Sequence, residues 1–148
     1  MISFALNGPP ITTNQAYKLI QTRYGQPRLK LSDEAAWWKL RLAKAARAAH
    51  RLAGSPAAIE HGAVLAVRFV FPTLGTDVDG PVKLVQDAVA SGTRGHPGAG
   101  LVVNDNRICE LHAFKGDCDG HPRTEVAIAL AGELACPRCG CSCRSLLP

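Results

Sequence analysis

Between Ser32 and Ala53 the chain runs without a glycine or a proline, and Trp38, Leu42, Ala45, Ala49 and Leu52 recur there in steps of three and four residues. That spacing lines the side chains along one stripe of an α-helix, and such a stripe is stable only when another element buries it. Ser32 reads as the N-cap, Asp33 and Glu34 suit the positive end of the helix dipole, and Gly54 with Pro56 beyond it marks the stop. Lys44, Arg47 and Arg51 fall together on a different face. One helix therefore has a core side and a cationic side.

The rest of the chain supplies elements to meet it. Ile2, Phe4 and Leu6 alternate with Ser3, Ala5 and Asn7 as in a short half-buried strand, ended by Gly8-Pro9-Pro10. An irregular basic segment is expected from there to Leu31. Val64 to Phe71 reads as a strand with Leu65, Val67, Phe69 and Phe71 on one side and Arg68 on the other, closed by Pro72. Pro81, with Val82, Val85 and Val89 behind it, signals a second helix. The glycine-rich stretch Ser91–Gly100 reads as a mobile loop, and it has no Gly-Lys-Ser/Thr of a phosphate-cradling P-loop. Two more strands are expected at Arg107–Phe114 and Thr124–Leu130, joined through Asp119-Gly120. The order predicts an α/β (α+β) fold: a compact single domain with a mixed four-stranded sheet and two main helices, over residues 1–132.

The 148 residues suffice for a core without disulfides or metals. No run approaches the ~18 apolar residues of a membrane span, and Met1 to Ala5 lack the features of a signal peptide. A soluble cytoplasmic protein, associated with the nucleoid, is the expectation. The net charge of +5 is unevenly placed, since residues 1–56 hold nine of the Lys and Arg against only Asp33 and Glu34. Such an excess suits a surface that meets a polyanion, and equally a solvated helix face. Of six cysteines, Cys136, Cys139, Cys141 and Cys143 crowd into a tail at 133–148, expected to be loosely ordered. Their spacing is cramped for a zinc site, which usually takes two separated pairs.

The residues that carry chemistry are acidic. Asp77 and Asp79 follow the strand that ends at Phe71, Lys83 comes four residues after Asp79, and Asp105 follows the apolar run Leu101-Val102-Val103. Three carboxylates repel one another unless a cation joins them, and Mg²⁺ suits a hard-oxygen site of this kind. Metal-dependent phosphodiester hydrolysis would explain why a basic chain sets acids beside a polyanion, because the ion offsets repulsion and activates water. A lysine nearby could neutralise charge on the phosphoryl oxygens. The plainer alternative is that Asp77 and Asp79 cap the second helix and Asp105 belongs to a turn.

In this order and spacing the motifs resemble the RusA family of Holliday-junction resolvases, over about residues 4–130. The resemblance rests on Gly8-Pro9-Pro10 followed by Asn14, on Phe71-Pro72 before Asp77-Val78-Asp79 with Lys83 in register, and on Asn104-Asp105-Asn106-Arg107-Ile108 before Glu110-Leu111-His112. It implies a homodimer that cuts two strands of a four-way DNA junction. It also implies that Asp77, Asp79 and Asp105 bind Mg²⁺, with Mn²⁺ as a substitute, and that Lys83 assists. The chain differs from the family in three places. Gly80-Pro81 stands where the family often has Asn, Asn104-Asp105 where it often has Asp-Asp, and the loop at Ser91–Gly100 is longer than usual.

Asn14, Arg23, Arg28 and Lys30, with Lys44, Arg47 and Arg51, are the candidate DNA contacts. Trp37 could stack on a base or pack at a subunit interface. His112 reads as a surface or hydrogen-bonded strand residue. Two other functions compete: a non-catalytic basic nucleic-acid-binding protein, and a haloacid-dehalogenase-like phosphatase, whose nucleophile motif Asp77-Val78-Asp79-Gly80 resembles.

Overall fold

A computed structural model describes residues 1–73, 75–92 and 98–130. The long helix, α2, spans Asp33–Leu52, and the Ser32 side chain accepts from the Ala35 amide as its N-cap. Its buried residues are Ala35, Trp38, Leu42, Ala43 and Ala46, while Ala45 and Ala49 are only partly buried. Leu52, placed on the stripe by spacing alone, is 90% exposed. At its C-terminal end the helix outruns the surface it packs on, so Leu52 has nothing to bury against.

That surface is a four-stranded mixed sheet in the order β1 (Ile2–Asn7), β6 (Arg123–Leu130), β4 (Ala63–Val70), β5 (Ile108–Lys115). β6 runs antiparallel to both neighbours, and β4 pairs parallel with β5. The register sets Phe4 opposite Val126, and Leu65 between Ile128 and Leu111. Phe4, Val126, Leu65 and Ile128, together with Val67, Phe69 and residues of α2 and α3 (Asp79–Val89), form the main core, whereas Leu111 on the edge strand is exposed. Both long helices thus cover one face of the sheet. β4 is buried on both faces, as a central strand should be. Val64 and Ala66 join Ala127, Ala129 and Phe114 in a small second cluster on the opposite face. Beside it the Glu125 carboxylate is buried between Arg68 and Arg123, with Arg123 Nε donating at 2.6 Å.

The segment expected to be irregular is not. After a one-turn helix, α1 (Thr13–Ala16), it forms an antiparallel hairpin of β2 (Tyr17–Gln21) and β3 (Pro27–Leu31). Gly25 at φ +76° makes its turn. The hairpin carries no hydrophobic alternation deep enough to announce itself: Leu19 and Leu29 sit opposite each other and are 69% and 68% exposed. Part of the expected Ser91–Gly100 loop, residues 93–97, and the tail with its four cysteines lie outside the described residues.

Candidate functional site

The second helix starts where the acids are. α3 begins at Asp79, its N-cap is Val78, and no side chain caps it. Asp77 and Asp79 are therefore not capping residues. Both are exposed, and among the described residues neither side chain forms a hydrogen bond or ion pair. Asp79 in the first turn is favoured by the helix dipole. Pro81 lies in the first turn too, where its missing N–H costs nothing.

Gly80 has a tighter reason. A Cβ built there would lie 2.5 Å from the Thr13 Cα and 2.7 Å from its Oγ1, while the Gly80 amide donates to that Oγ1 at 3.1 Å. The hydroxyl satisfies one of the amides that a helix start leaves without a partner. This contact seats α1, which carries Asn14, against the start of α3 beside Asp79. The Pro-Pro…Asn segment and the Asp-x-Asp segment, far apart in sequence, meet there.

One turn further along α3, Lys83 bonds to Asp105 in the 3₁₀ turn Asp105–Arg107. Asn104 holds that turn by accepting from the Asn106 amide at 3.3 Å. The same lysine lies 3.0 Å from Oδ1 of Asp87, whose Oδ2 lies 3.5 Å from Nζ of Lys39 on α2. The four side chains form a chain of alternating charge that ties α2, α3 and the turn together. The hydrogen bond from Lys83 holds the Asp105 carboxyl below its ordinary range, and that bond chiefly raises Lys83 in turn, against the opposing effect of burial. Lys83 is half exposed, whereas the Lys39 side chain is only 12% exposed.

An open cleft of about 550 Å³ lies beside this chain, lined among others by Tyr17, Leu31, Lys39, Asp87, Ser91 and Asp105. Asp87 and Lys39 were not singled out in the sequence. Asp87 was findable, since it stands four residues after Lys83 on a helix and so faces it. Lys39 was not, because a basic residue in a basic helix has no distinguishing pattern.

The cationic candidates divide into two groups. Arg28 and Lys30 share one face of the hairpin with Ile20 and Lys18, and Arg23 is exposed at its turn over the Tyr24 ring at 4.9 Å. Lys44 and Arg51 are exposed on α2 and Arg47 is half-buried there. Trp37 is 59% exposed, with the Arg41 guanidinium 5.0 Å above its ring. His112 is hydrogen-bonded to Glu110 at 2.6 Å and stacks on Phe114.

The donor chemistry of Asp77, Asp79 and Asp105 fits a hard divalent cation, and Asp105 already holds a cationic group. Even so, among the described residues no three Asp, Glu, His or Cys side chains are gathered as a metal-binding set. No helix is long and apolar enough to cross a membrane among the described residues. In comparisons with known proteins, the chain matches no protein-family model and no curated protein.

Proposed function

We propose that this chain is a Mg²⁺-dependent, structure-selective DNA endonuclease that resolves four-way junctions as a homodimer in the cytoplasm. The observation that carries the reading is the contact between Lys83 and Asp105, which joins a helix to a turn 22 residues away, Asp105 itself lining an open cleft. It brings the lysine to one of the three aspartates that the RusA resemblance implies as metal ligands, and the same resemblance implies that the lysine assists. Asp77, Asp79 and Asp105 would hold the ion, which when bound polarises the phosphoryl group and lowers the pKa of a water. Lys83 supplies positive charge for the phosphoryl oxygens. The cationic hairpin and the basic face of α2 bind the DNA backbone without reading its sequence.

A second reading has an observation of its own. The Lys39–Asp87–Lys83–Asp105 chain is self-satisfied, as a purely structural network would be, and that favours a non-catalytic nucleic-acid-binding protein. Offering a labelled four-way junction, a linear duplex of the same sequence and a phosphomonoester, each with and without Mg²⁺, separates these. Mg²⁺-dependent cutting of the junction alone supports the resolvase. Tight junction binding without cutting supports the binding protein, and release of phosphate from the monoester supports a phosphatase.

A further inference from the structure

The hairpin of β2 and β3 pairs with no other strand, and an isolated two-stranded ribbon is only marginally stable in water. Yet it exposes apolar surface. Of ten large apolar residues exposed among the described residues, four fall in it: Tyr17, Leu19, Tyr24 and Leu29. The same segment, residues 17–31, holds Lys18, Arg23, Arg28 and Lys30 and no acidic residue. The register sorts these by side. Leu19 faces Leu29 and Tyr17 faces Leu31 on one side, whereas Lys18 faces Lys30 and Ile20 faces Arg28 on the other. Side chains directly opposite stand about 5 Å apart, so the two leucines make one joint apolar patch. Tyr17 and Leu31 also line the cleft to which Asp105 belongs, which places the leucine pair about 7 Å further out along the strands. Ser32 fixes the base of the ribbon. Its amide donates to the Ala16 carbonyl at 3.0 Å and its hydroxyl to the Gln15 carbonyl at 2.6 Å.

Such a ribbon fits a partner that offers flat apolar faces and negative charge together. Within continuous duplex DNA the base faces are covered by stacking, and an apolar side chain reaches them only where the stack is opened. A branch point interrupts the stack, and phosphates lie on the arms to either side of it. We propose that this hairpin is what distinguishes branched from linear DNA. Leu19 and Leu29 lie against base faces at the branch point. Arg28 and Lys30 on the reverse side, with Arg23 at the tip, take phosphates of the parting arms. This rests on the DNA-binding part of the reading given above and needs no metal. The placement of charge argues against an anionic membrane as the partner. Leucines sunk into a bilayer would turn Arg28 and Lys30 away from the headgroups, whereas two DNA arms enclose a ribbon from both sides.

The test reads binding in EDTA, so that nothing is cut. Fluorescence anisotropy gives the affinity of the full chain for a labelled four-way junction and for a linear duplex of the same sequence. Wild type should prefer the junction. Leu19→Thr with Leu29→Thr, which keeps residues suited to strands, should reduce that preference by about tenfold and leave duplex affinity unchanged. Leu29→Phe should keep the preference, because an aromatic ring also lies flat on a base. Arg28→Ala with Lys30→Ala should weaken binding to both DNAs alike and lower the salt slope, leaving the preference in place. A threonine pair that retains the wild-type preference overturns the inference and leaves the nuclease reading standing. Loss of the preference together with a fall from dimer to monomer in sedimentation assigns the leucines to an interface between copies and overturns it as well. So does leucine-dependent co-sedimentation with phosphatidylserine vesicles while the junction preference is unchanged. If wild type binds junction and duplex equally, or binds neither, the structure-selective reading itself fails and the inference falls with it. Should the threonine pair not fold, Leu29→Thr alone, at a largely exposed position, carries the same test with about a threefold loss of preference.

Discussion

Lys83 and Asp105 support each other in opposite pH directions. The Asp105 carboxyl is held below its ordinary value of 3.8, chiefly by the hydrogen bond from Lys83. Its contribution to stability is complete above that value and is lost as pH falls through the depressed one. Lys83 is raised above 10.5 by the same bond, so its contribution is complete below that value and is lost as pH climbs through the raised one. Both side chains are partly open to solvent, so screening keeps the effect small. Asp105→Asn should accordingly be slightly less stable at neutral pH and show a flatter fall in thermal midpoint between about pH 5 and about pH 2. An acid limb identical to wild type would mean that the pair does not persist in solution. The proposed reaction asks something else of these residues. Asp77→Asn, Asp79→Asn and Asp105→Asn should each reduce junction cleavage by at least about a hundredfold. Junction affinity should hold or improve, because repulsion against phosphate is relieved. Gel-shift and cleavage assays on the same preparations read both, and full Mg²⁺-dependent cutting by any variant removes that residue from the site.

At the scale of elements, the contact between α1 and α3 decides where Asn14 and Asp79 sit. Alanine is normally the better helix residue, worth about 1 kcal/mol over glycine. At position 80 the added methyl would run into Thr13, so Gly80→Ala should instead cost about 1–2 kcal/mol, seen as a lower urea midpoint. A gain in stability would show that α1 is free to lift off the helix. The two basic elements are separable in the same spirit. Replacing Lys44, Arg47 and Arg51 together by alanine should weaken junction binding and reduce the slope of log affinity against log salt by about 0.9 for each lost phosphate contact. The hairpin set Arg23, Arg28 and Lys30 should behave likewise, and a set that leaves the slope at its wild-type value does not face DNA. Sequence periodicity located α2, α3 and all four strands of the sheet to within a few residues, because all but the edge strand β5 bury a repeating apolar face, and β5 still alternates partly buried Ile108, His112 and Phe114 with exposed residues. It passed over the hairpin for the same reason. Leu19 and Leu29 stand opposite each other and are largely exposed, and a two-stranded ribbon that is open to solvent leaves little hydrophobic pattern to detect.

For the whole molecule, one chain offers one set of three aspartates and one lysine, whereas symmetric resolution of a junction needs two cuts. Two copies about a two-fold axis would match the approximate symmetry of the substrate. Sedimentation at assay concentrations should therefore give a dimer, and a cruciform plasmid should be linearised by paired nicks. A monomer that leaves singly nicked circles would exclude a coupled resolvase and keep only a general branch nuclease. What the sequence determined by itself is the set of elements and the candidate chemistry, since apolar spacing, Ser32, Gly54 and Pro81 act within a few residues of where they stand. Asp77, Asp79, Lys83 and Asp105 were legible as types in an order. Tertiary structure alone decided which of them touch. Lys83 meets Asp105 and Asp87, Asp87 meets Lys39, and Thr13 meets Gly80, because the parallel pairing of β4 with β5 and the packing of α2 beside α3 bring distant segments to one edge. Local spacing carries no information about such meetings: a charge pair across 48 residues is set by the sheet order and the helix packing, not by any pattern along the chain.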